Sequence, residues 1–334
     1  MVPLPPLTKS NHTLKLSLLL LSVTTMILSA STMYLLYNTE ISLLPNFISN
    51  HRNDRQGSDR TPCSANLGRK HHFQTVILLS YPGCGNTWTR HLIEQATGYL
   101  TGSAYKDSKL RKTLRGELED PHDQTTIVVK AHQAQRLANH LPVNITVAGC
   151  VLIMRDPKNA ILSNFALKVS HSHTEPVTDK DLRSKNWTDY SRRYGGFRGW
   201  AGTYREEVLH NYCQGKITII WYEAIKSSTQ TLIDNLSRTV DFLNEVNHFK
   251  PGQDDFVKFR SNCLKKNLEG SYHRKYHQRP DMEKYFTPAE KLEANQYISE
   301  LEQTLLSNLG NGSKLPPSYY FAIDRLTTGN VTTQ

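Results

Sequence analysis

Residues 74–98 read QTVILLSYPGCGNTWTRHLIEQATG and contain the pattern that decides the fold. The first part, ending at Tyr81, is a short apolar run rich in β-forming residues, which predicts a buried strand. The segment PGCGN follows. Apolar residues then recur from Trp88 to Ala96 with the spacing of one helix face, and Gly98 stands where a helix would stop. The stretch therefore predicts a strand, a glycine loop and a helix in succession.

Three further apolar runs predict the other strands of the sheet. They are TIVVKAH at 126–132, VAGCVLIMR at 147–155 and KITIIWYE at 216–223. Continuous apolar character of this kind is typical of parallel strands covered on both faces.

Helical patterns alternate with these strands. They are expected at 157–168, 189–212 and 227–243, with a polar loop at 171–186. A last helix should start at Thr287-Pro288-Ala289-Glu290, where Thr caps, Pro occupies the first turn and Glu completes a capping box, and it should end at Leu309 before Gly310. The alternation predicts an α/β fold with a mainly parallel sheet and helices on both faces.

An uncharged apolar run at residues 16–37 stands near the start of the chain. It is long enough to cross a bilayer core of about 30 Å at about 1.5 Å per residue. Lys9 and Lys15 precede it, so residues 1–15 are predicted to stay cytosolic and the bulk of the chain to enter the lumen, as a type II signal-anchor. The alternative is a cleaved signal peptide ending near Ala30, but the apolar run continues past that point.

The remainder divides into a stem, one domain and a tail. Residues 38–72 are polar in their second half and are predicted to be a luminal stem, 73–310 a single catalytic domain and 311–334 a flexible C-terminal tail. Luminal placement agrees with N-glycosylation sequons, which begin at Asn144, Asn186, Asn235, Asn311 and Asn330. The expected location is the Golgi membrane.

Charge and cysteine content narrow the ligand class. The formal net charge is +10, which fits an anionic small ligand, a nucleic acid or an anionic membrane surface. Because Lys and Arg are dispersed, an anionic small ligand is favoured and no nucleic acid is expected.

The 5 cysteines could pair in an oxidising lumen, but an odd count leaves at least one unpaired and the connectivity stays open. No zinc-type spacing occurs, so no metal is expected.

The glycine loop is the first candidate site. In such a loop backbone N–H groups converge on an anion, and the positive end of the helix dipole adds to the attraction. Gly85-Asn86-Thr87 replaces the Gly-Lys-Ser/Thr of a Walker A loop, so this is not one. A tight turn without a ligand is the alternative. The candidate ligand-binding residues are Pro82, Gly83, Cys84, Gly85, Asn86, Thr87 and Trp88.

Two strand ends carry the remaining candidates. Arg155 ends the third predicted strand and Ser163 lies in the following helix, where the two could grip one phosphate. Lys130 and His132 end the second strand, two residues apart and therefore on one face. Each alone has an ordinary explanation, as a salt-bridge partner or a structural histidine.

Together these segments resemble the PAPS-dependent sulfotransferases, where PAPS is 3′-phosphoadenosine 5′-phosphosulfate. The resemblance implies that the glycine loop binds the 5′-phosphosulfate, with Trp88 near the adenine. It also implies that Arg155 and Ser163 bind the 3′-phosphate, that His132 is the catalytic base, and that the fold is P-loop-like with no metal required. Lys130 is our candidate for stabilising the leaving phosphate.

The stretch SYPGCGNTWTRHLIEQATGYLTGS is similar to the WSC-domain-containing sulfotransferases, the group that includes sialate O-sulfotransferases, and the similarity extends over roughly residues 73–280. No WSC domain is recognised in this chain. The chain departs from cytosolic sulfotransferases at Gly83, where they carry a loop Lys, and at Cys84, where they carry Ser. The C-terminal basic motif is imperfect, so Lys265, Lys266 and Arg274 all stay open as 3′-phosphate ligands.

The resemblance implies transfer of a sulfuryl group from PAPS to an acceptor hydroxyl, on a glycan such as sialic acid in a glycoprotein or glycolipid. A catalytically silent, membrane-anchored PAPS- or glycan-binding protein is the alternative from another class. A P-loop nucleotide kinase is disfavoured by the missing Walker Lys and by the lack of a convincing magnesium-binding Asp motif. The oligomeric state stays open.

Overall fold

The structure is a computed structural model that describes residues 63–139, 141, 145–172, 175–193, 195–248, 260–268 and 280–322. The predicted cytosolic tail, the predicted anchor and most of the predicted stem lie outside these residues, as do Asn144, Arg274 and Asn330. Within the described ranges, no helix combines the length and the apolar character needed to cross a membrane.

The centre of the domain is a five-stranded parallel sheet. Its strands are β1 (Thr75–Ser80), β2 (Gly102–Ser103), β3 (Val129–Ala131), β4 (Val147–Met154) and β5 (Ile217–Trp221), in the spatial order β2-β3-β1-β4-β5. The predicted α/β class and parallel sheet are confirmed. β2 was not predicted, because two residues are too short to show a periodic pattern.

The strand order places a crevice at the carboxyl ends of β1 and β4. The chain leaves β1 towards β2 on one side of the sheet, whereas it leaves β4 towards β5 on the other side. Neighbouring strands whose connections diverge in this way leave a gap between their loops, which is where α/β proteins bind ligands.

Helices flank the sheet. They are α1 (Asn86–Thr97), α2 (Ala134–Ala138), α3 (Pro157–Ser170), α4 (Asp179–Leu182), α5 (Lys185–Arg192), α6 (Phe197–Thr203), α7 (Glu206–Cys213), α8 (Tyr222–Ser227), α9 (Thr229–Val246), α10 (Ser261–Lys266) and α11 (Pro288–Leu309). Short 3₁₀ turns occur at Arg115–Leu118, Pro121–Asp123, Met282–Tyr285, Asn311–Ser313 and Pro317–Tyr319. The predicted capping box of α11 is present, with Thr287 and Glu290 each accepting from the other's backbone N–H.

Two expectations about the helices were wrong. The single helix expected at 189–212 is α5, α6 and α7, because the backbone is extended at Gly196 and Arg205. The loop expected at 171–186 contains α4 and the start of α5. The helix expected at 227–243 is confirmed as α9, which starts at Thr229 because the backbone of Ser228 is extended and its hydroxyl caps the helix.

The domain boundaries also differ from expectation. The backbone N–H of Asn66 donates to Gly98 O at 2.9 Å, so ordered packing begins before Phe73, inside the predicted stem. At the other end, Tyr319 is fully buried, and Lys158 Nζ donates to the carbonyls of Ser318 and Tyr320 at 2.8 and 3.0 Å. The described part of the predicted flexible tail is therefore docked on the domain.

Four of the cysteines form disulfides, Cys63–Cys263 and Cys150–Cys213, and Cys84 is free and buried. The first disulfide joins the N-terminal edge of the domain to α10, and the second joins β4 to α7. The connectivity, which the spacing left open, is thus decided by which cysteines the fold brings together.

Candidate active site

The candidate residues converge at the carboxyl end of the sheet. β1 leads into the glycine loop, β3 leads into His132, and β4 leads into Arg155. Because the three strands are adjacent and parallel, their ends face the same crevice. The sheet topology therefore brings together three segments that are far apart in the sequence.

Glycine is required twice in the loop. Gly83 and Gly85 have φ of +92° and +86°, which side chains rarely adopt. A Cβ on Gly83 would lie 2.4 Å from the carbonyl oxygen of Ala160, and one on Gly85 would lie 2.2 Å from the ring of Tyr222. The loop packs so closely against α3 that position 83 has no room for a Lys.

The start of α1 is open to an anion. Gly85 is the N-cap residue, no side chain caps it, and the first turn contains no acidic residue. Asn86, which stands where a Walker Lys would, turns inward instead and donates from Nδ2 to Ser80 Oγ at 3.0 Å. The first-turn N–H groups and the helix dipole are thus left to attract a negatively charged ligand.

A buried tyrosine holds the loop from below. Tyr204 OH accepts the backbone N–H of Tyr81 at 2.9 Å and donates to Ile153 O at 2.6 Å, which ties the loop to β4. Cys84 Sγ lies 3.6 Å from the same hydroxyl. Burial raises the pKa of the Cys84 thiol to about 12, so it is a neutral packing group rather than a nucleophile.

Arg155 and Ser163 border the loop. Arg155 Nη1 donates to Gly83 O at 2.6 Å, and its guanidinium lies 4.5 Å from the centre of the Tyr222 ring. Ser163 is adjacent, because its Cβ lies 3.2 Å from the position that a Cβ on Gly83 would take. Arg155 Nε is buried without a partner among the described residues.

His132 has a defined tautomer. Its Nδ1 lies 2.7 Å from Ser80 O, and because a carbonyl only accepts, Nδ1 carries the proton and Nε2 carries the lone pair. Burial, reinforced by the nearby charge of Lys130, lowers the pKa of His132 to about 3. The imidazole is therefore neutral at physiological pH, with Nε2 in the form of a base.

Lys130 is the other candidate at the end of β3. It is 9% exposed and its backbone pairs with Leu78 and Ser103. Burial and, to a lesser extent, the nearby charge of Arg90 lower its pKa to about 8, although Glu117 and Asp107 act in the opposite direction. Near neutral pH the side chain is still mostly an ammonium, held in poorly solvated surroundings where its charge acts strongly.

Trp88 lies at the edge of the site, next to α10. Its indole Nε1 donates to Leu268 O at 2.7 Å, and its ring meets Tyr222 edge-to-face at 5.8 Å. Lys265 and Lys266 lie on the same short helix and are exposed.

Sequence reasoning missed four residues that shape the site: Ser80, Tyr105, Tyr204 and Tyr222. Ser80 and Tyr222 stand at the ends of β1 and β5, so their position at strand ends was a usable signal. Tyr105 and Tyr204 follow no strand that the sequence predicted, and no local pattern marked them. In the described part of the chain, no cluster of three or more His, Cys, Asp or Glu side chains is suited to hold a metal ion.

Comparison with known proteins finds distant relatives. No family model matches the chain. The chain is similar to WSCD family members from Aedes aegypti (29% identity, 60% of this chain and 57% of the relative), Drosophila melanogaster (31%, 50% and 50%) and Drosophila pseudoobscura pseudoobscura (32%, 46% and 46%). It thus spans about half the length of the curated relatives it matches.

Among solved structures, the chain resembles mouse sulfotransferase SULT7A1 complexed with PAP. The match has 17% identity and a TM-score of 0.38, and it covers 72% of this chain and 87% of the other.

Proposed function

We propose that this chain is a sulfotransferase that moves a sulfuryl group from PAPS to a hydroxyl of a glycan, such as sialic acid in a glycoprotein or glycolipid. The observation that carries the proposal is the pairing of a neutral His132, fixed by Ser80 O, with the uncapped glycine loop at the adjoining strand end. His132 can take a proton and the glycine loop can bind an anion, and sulfuryl transfer requires both.

The chemistry follows from the ordinary requirements of in-line group transfer. His132 Nε2 takes the proton of the acceptor hydroxyl as its oxygen bonds to sulfur. The bond from sulfur to the bridging oxygen breaks, and the electron pair leaves with the 5′-phosphate of the nucleotide. The first-turn N–H groups of α1 and the ammonium of Lys130 stabilise the charge that develops there.

Lys130 takes this role because the loop itself offers no cation. Position 83 accommodates only glycine against α3, and Asn86 is turned towards Ser80. Lys130 is a buried ammonium at the neighbouring strand end. The same two observations disfavour a nucleotide kinase, whose loop would present a Lys at the start of α1.

The nucleotide's 3′-phosphate is assigned to Arg155 and Ser163, which flank Gly83. Because Arg155 Nη1 already donates to the loop carbonyl, the remaining N–H groups of its guanidinium would make the charge-assisted contacts with the phosphate. Trp88 would lie beside the adenine. Binding of this kind requires no metal.

The proposed location is the Golgi lumen, with a single N-terminal anchor. Two disulfides support an oxidising compartment. Asn186 and Asn311 are exposed sequon positions, whereas Asn235 is buried in α9 and donates from Nδ2 to Thr231 O at 2.7 Å.

In animal cells, Asn186→Gln and Asn311→Gln should each remove one glycosidase-sensitive mass increment, and Asn235→Gln should remove none. A protein without any glycan, and with a protease-sensitive C-terminus in intact microsomes, would reverse the topology.

The activity is tested with the secreted luminal chain, radiolabelled PAPS and a panel of sialylated and neutral glycans. Transfer of label to a glycan, lost in His132→Ala, is the expected result. Tight binding of adenosine 3′,5′-bisphosphate without any transfer across the panel would instead identify a silent binding protein. Absence of both would reject the nucleotide site.

A further inference from the structure

Tyr105 contacts both groups at the end of β3. Its hydroxyl accepts the backbone N–H of His132 at 2.7 Å, and its ring lies 5.3 Å from the imidazole at an interplanar angle of 36°. The Lys130 ammonium lies 5.5 Å from the centre of the same ring. One aromatic side chain therefore touches the proposed base and the proposed cation together.

A second cation lies against the ring of Tyr105. The guanidinium of Arg136, on α2, lies 4.8 Å from the ring centre of Tyr105. Arg136 is exposed, and within the described residues no carboxylate forms an ion pair with it. The ring of Tyr105 thus lies against two cations, and each of them is attracted by its π electrons.

The other charged groups around Lys130 come from several elements. Arg90 of α1 opposes its protonation, and Glu117 and Asp107 favour it. Arg90 and Glu117 are themselves a fully buried ion pair, so their charges largely offset each other. His132, on the same strand end, is the remaining titratable neighbour. The ring of Tyr105 is therefore a close and favourable contact for the Lys130 ammonium, and the ring itself does not change its charge near neutral pH.

We infer that Tyr105 is a positioning residue that holds Lys130 as an ammonium and sets the plane of the His132 ring. The inference rests on the proposed function for its consequence in catalysis, but the contacts themselves can be tested without activity. The ring face acts on the charge of Lys130. The hydroxyl acts on His132, because it holds the backbone of the residue whose Nδ1 is fixed on Ser80 O.

The first test measures the pKa of Lys130 directly, by NMR titration of the intact luminal chain with ¹³C-methylated lysines, the resonance being assigned by its loss in Lys130→Arg. Loss of the ring in Tyr105→Leu should lower the pKa by about half a unit, because one cation–π contact is removed. Tyr105→Phe keeps the ring and should leave it unchanged.

An unchanged pKa in Tyr105→Leu would overturn the inference, provided that the variant keeps its melting temperature within a few degrees. If Tyr105→Leu fails to fold, Tyr105→Met replaces it in the same titration, and an unchanged pKa of Lys130 in that variant overturns the inference. Tyr297→Leu is the matched control, since that tyrosine lies on α11 and donates to Glu293 on the same helix. It should leave the Lys130 titration as it is.

The second test is kinetic. Tyr105→Phe loses the acceptor for the His132 N–H, so its kcat should fall by about 2- to 12-fold with the KM for PAPS unchanged. Tyr105→Leu should also move the alkaline limb of the kcat profile to lower pH, in step with the NMR result. A purely structural role would instead lower kcat without moving the limb, and that would overturn the coupling. If wild type transfers nothing but the NMR shifts occur, the proposed function fails while the role of Tyr105 on Lys130 stands.

Discussion

The ends of β3 and β4 lie on either side of β1, yet their side chains are used differently. At the end of β3, His132 has an available Nε2 and Lys130 has an ammonium without an ion-pair partner among the described residues. At the end of β4, Arg155 already donates to Gly83 O and stacks on Tyr222. In the proposed function the end of β3 therefore supplies the reacting groups, whereas the end of β4 holds the loop and binds the nucleotide.

We therefore expect substitutions at one strand end to change the turnover rate and substitutions at the other to change the affinity for the nucleotide. Changes at the end of β3 should lower the rate at saturating PAPS and leave nucleotide binding nearly intact. Changes at the end of β4 should lower nucleotide affinity, and those at Gly83 should also lower stability. The largest effect is expected for loss of the proposed base, His132, and the smallest for loss of the Ser163 hydroxyl.

The largest effect is expected for His132→Ala. Loss of a general base typically costs about 10²–10⁴-fold, so kcat should fall on that scale while the affinity for adenosine 3′,5′-bisphosphate stays within a few-fold of wild type. Rates at saturating PAPS and calorimetric binding measure the two quantities. His210→Ala, an exposed histidine on α7, is the control. Near-normal turnover by His132→Ala would end its assignment as the base.

Lys130→Met should lower kcat by about 10²–10³-fold, as expected for loss of one group that stabilises developing charge. The pH profile gives the sign. The pKa of Lys130 is lowered to about 8, so wild-type kcat should fall as the pH rises through about 8. The pKa of His132 is lowered to about 3, so no acidic limb should appear between pH 5 and 7. Lost nucleotide affinity with preserved turnover would make Lys130 a binding residue only.

Gly83→Ala tests the loop that both sides share. The positive φ costs roughly 1–2 kcal/mol for a side chain and the contact with Ala160 O adds overpacking of about 1–3 kcal/mol. The free energy of unfolding should therefore fall by about 2–5 kcal/mol in urea titration, with weaker nucleotide binding. Gly202→Ala, where a Cβ meets nothing within 4 Å, is the matched control and should be neutral or slightly stabilising. Equal stability of the two variants would contradict this packing.

Arg155→Ala and Ser163→Ala compare the two proposed ligands of the 3′-phosphate. A charge-assisted contact is worth about 1.5–3 kcal/mol and a neutral hydroxyl about 0.5–1.5 kcal/mol, so Arg155→Ala should weaken bisphosphate binding the more. Titration calorimetry with adenosine 3′,5′-bisphosphate, and with the 5′-monophosphate as a control, measures the loss. Unaltered affinity in Arg155→Ala would reject the site at the end of β4.

Local patterns were sufficient wherever one stretch of chain determines its own structure. The apolar run of β1, the glycines after it and the stop at Gly98 predicted a strand, loop and helix that the structure confirms. The cap at Thr287 and the helix end before Gly310 were predicted for the same reason, since turns and caps are satisfied by neighbouring residues. The strand-end positions of Lys130, His132 and Arg155 also followed from sequence alone.

Long-range packing decided the rest. Nothing near Tyr105 in the sequence marks it, because its meaning comes from a ring that lies against His132, Lys130 and Arg136 only after the sheet has formed. The tautomer of His132 depends on Ser80 O, from another strand. Sequence patterns predicted four of the five strands, the glycine loop and the long helices α1, α3, α9 and α11, since these depend on backbone preference and periodicity, but they missed β2 and the breaks between α5, α6 and α7. The tertiary structure alone decided which ends are neighbours and how their charges are buried, because burial and proximity come from contacts between distant parts of the chain.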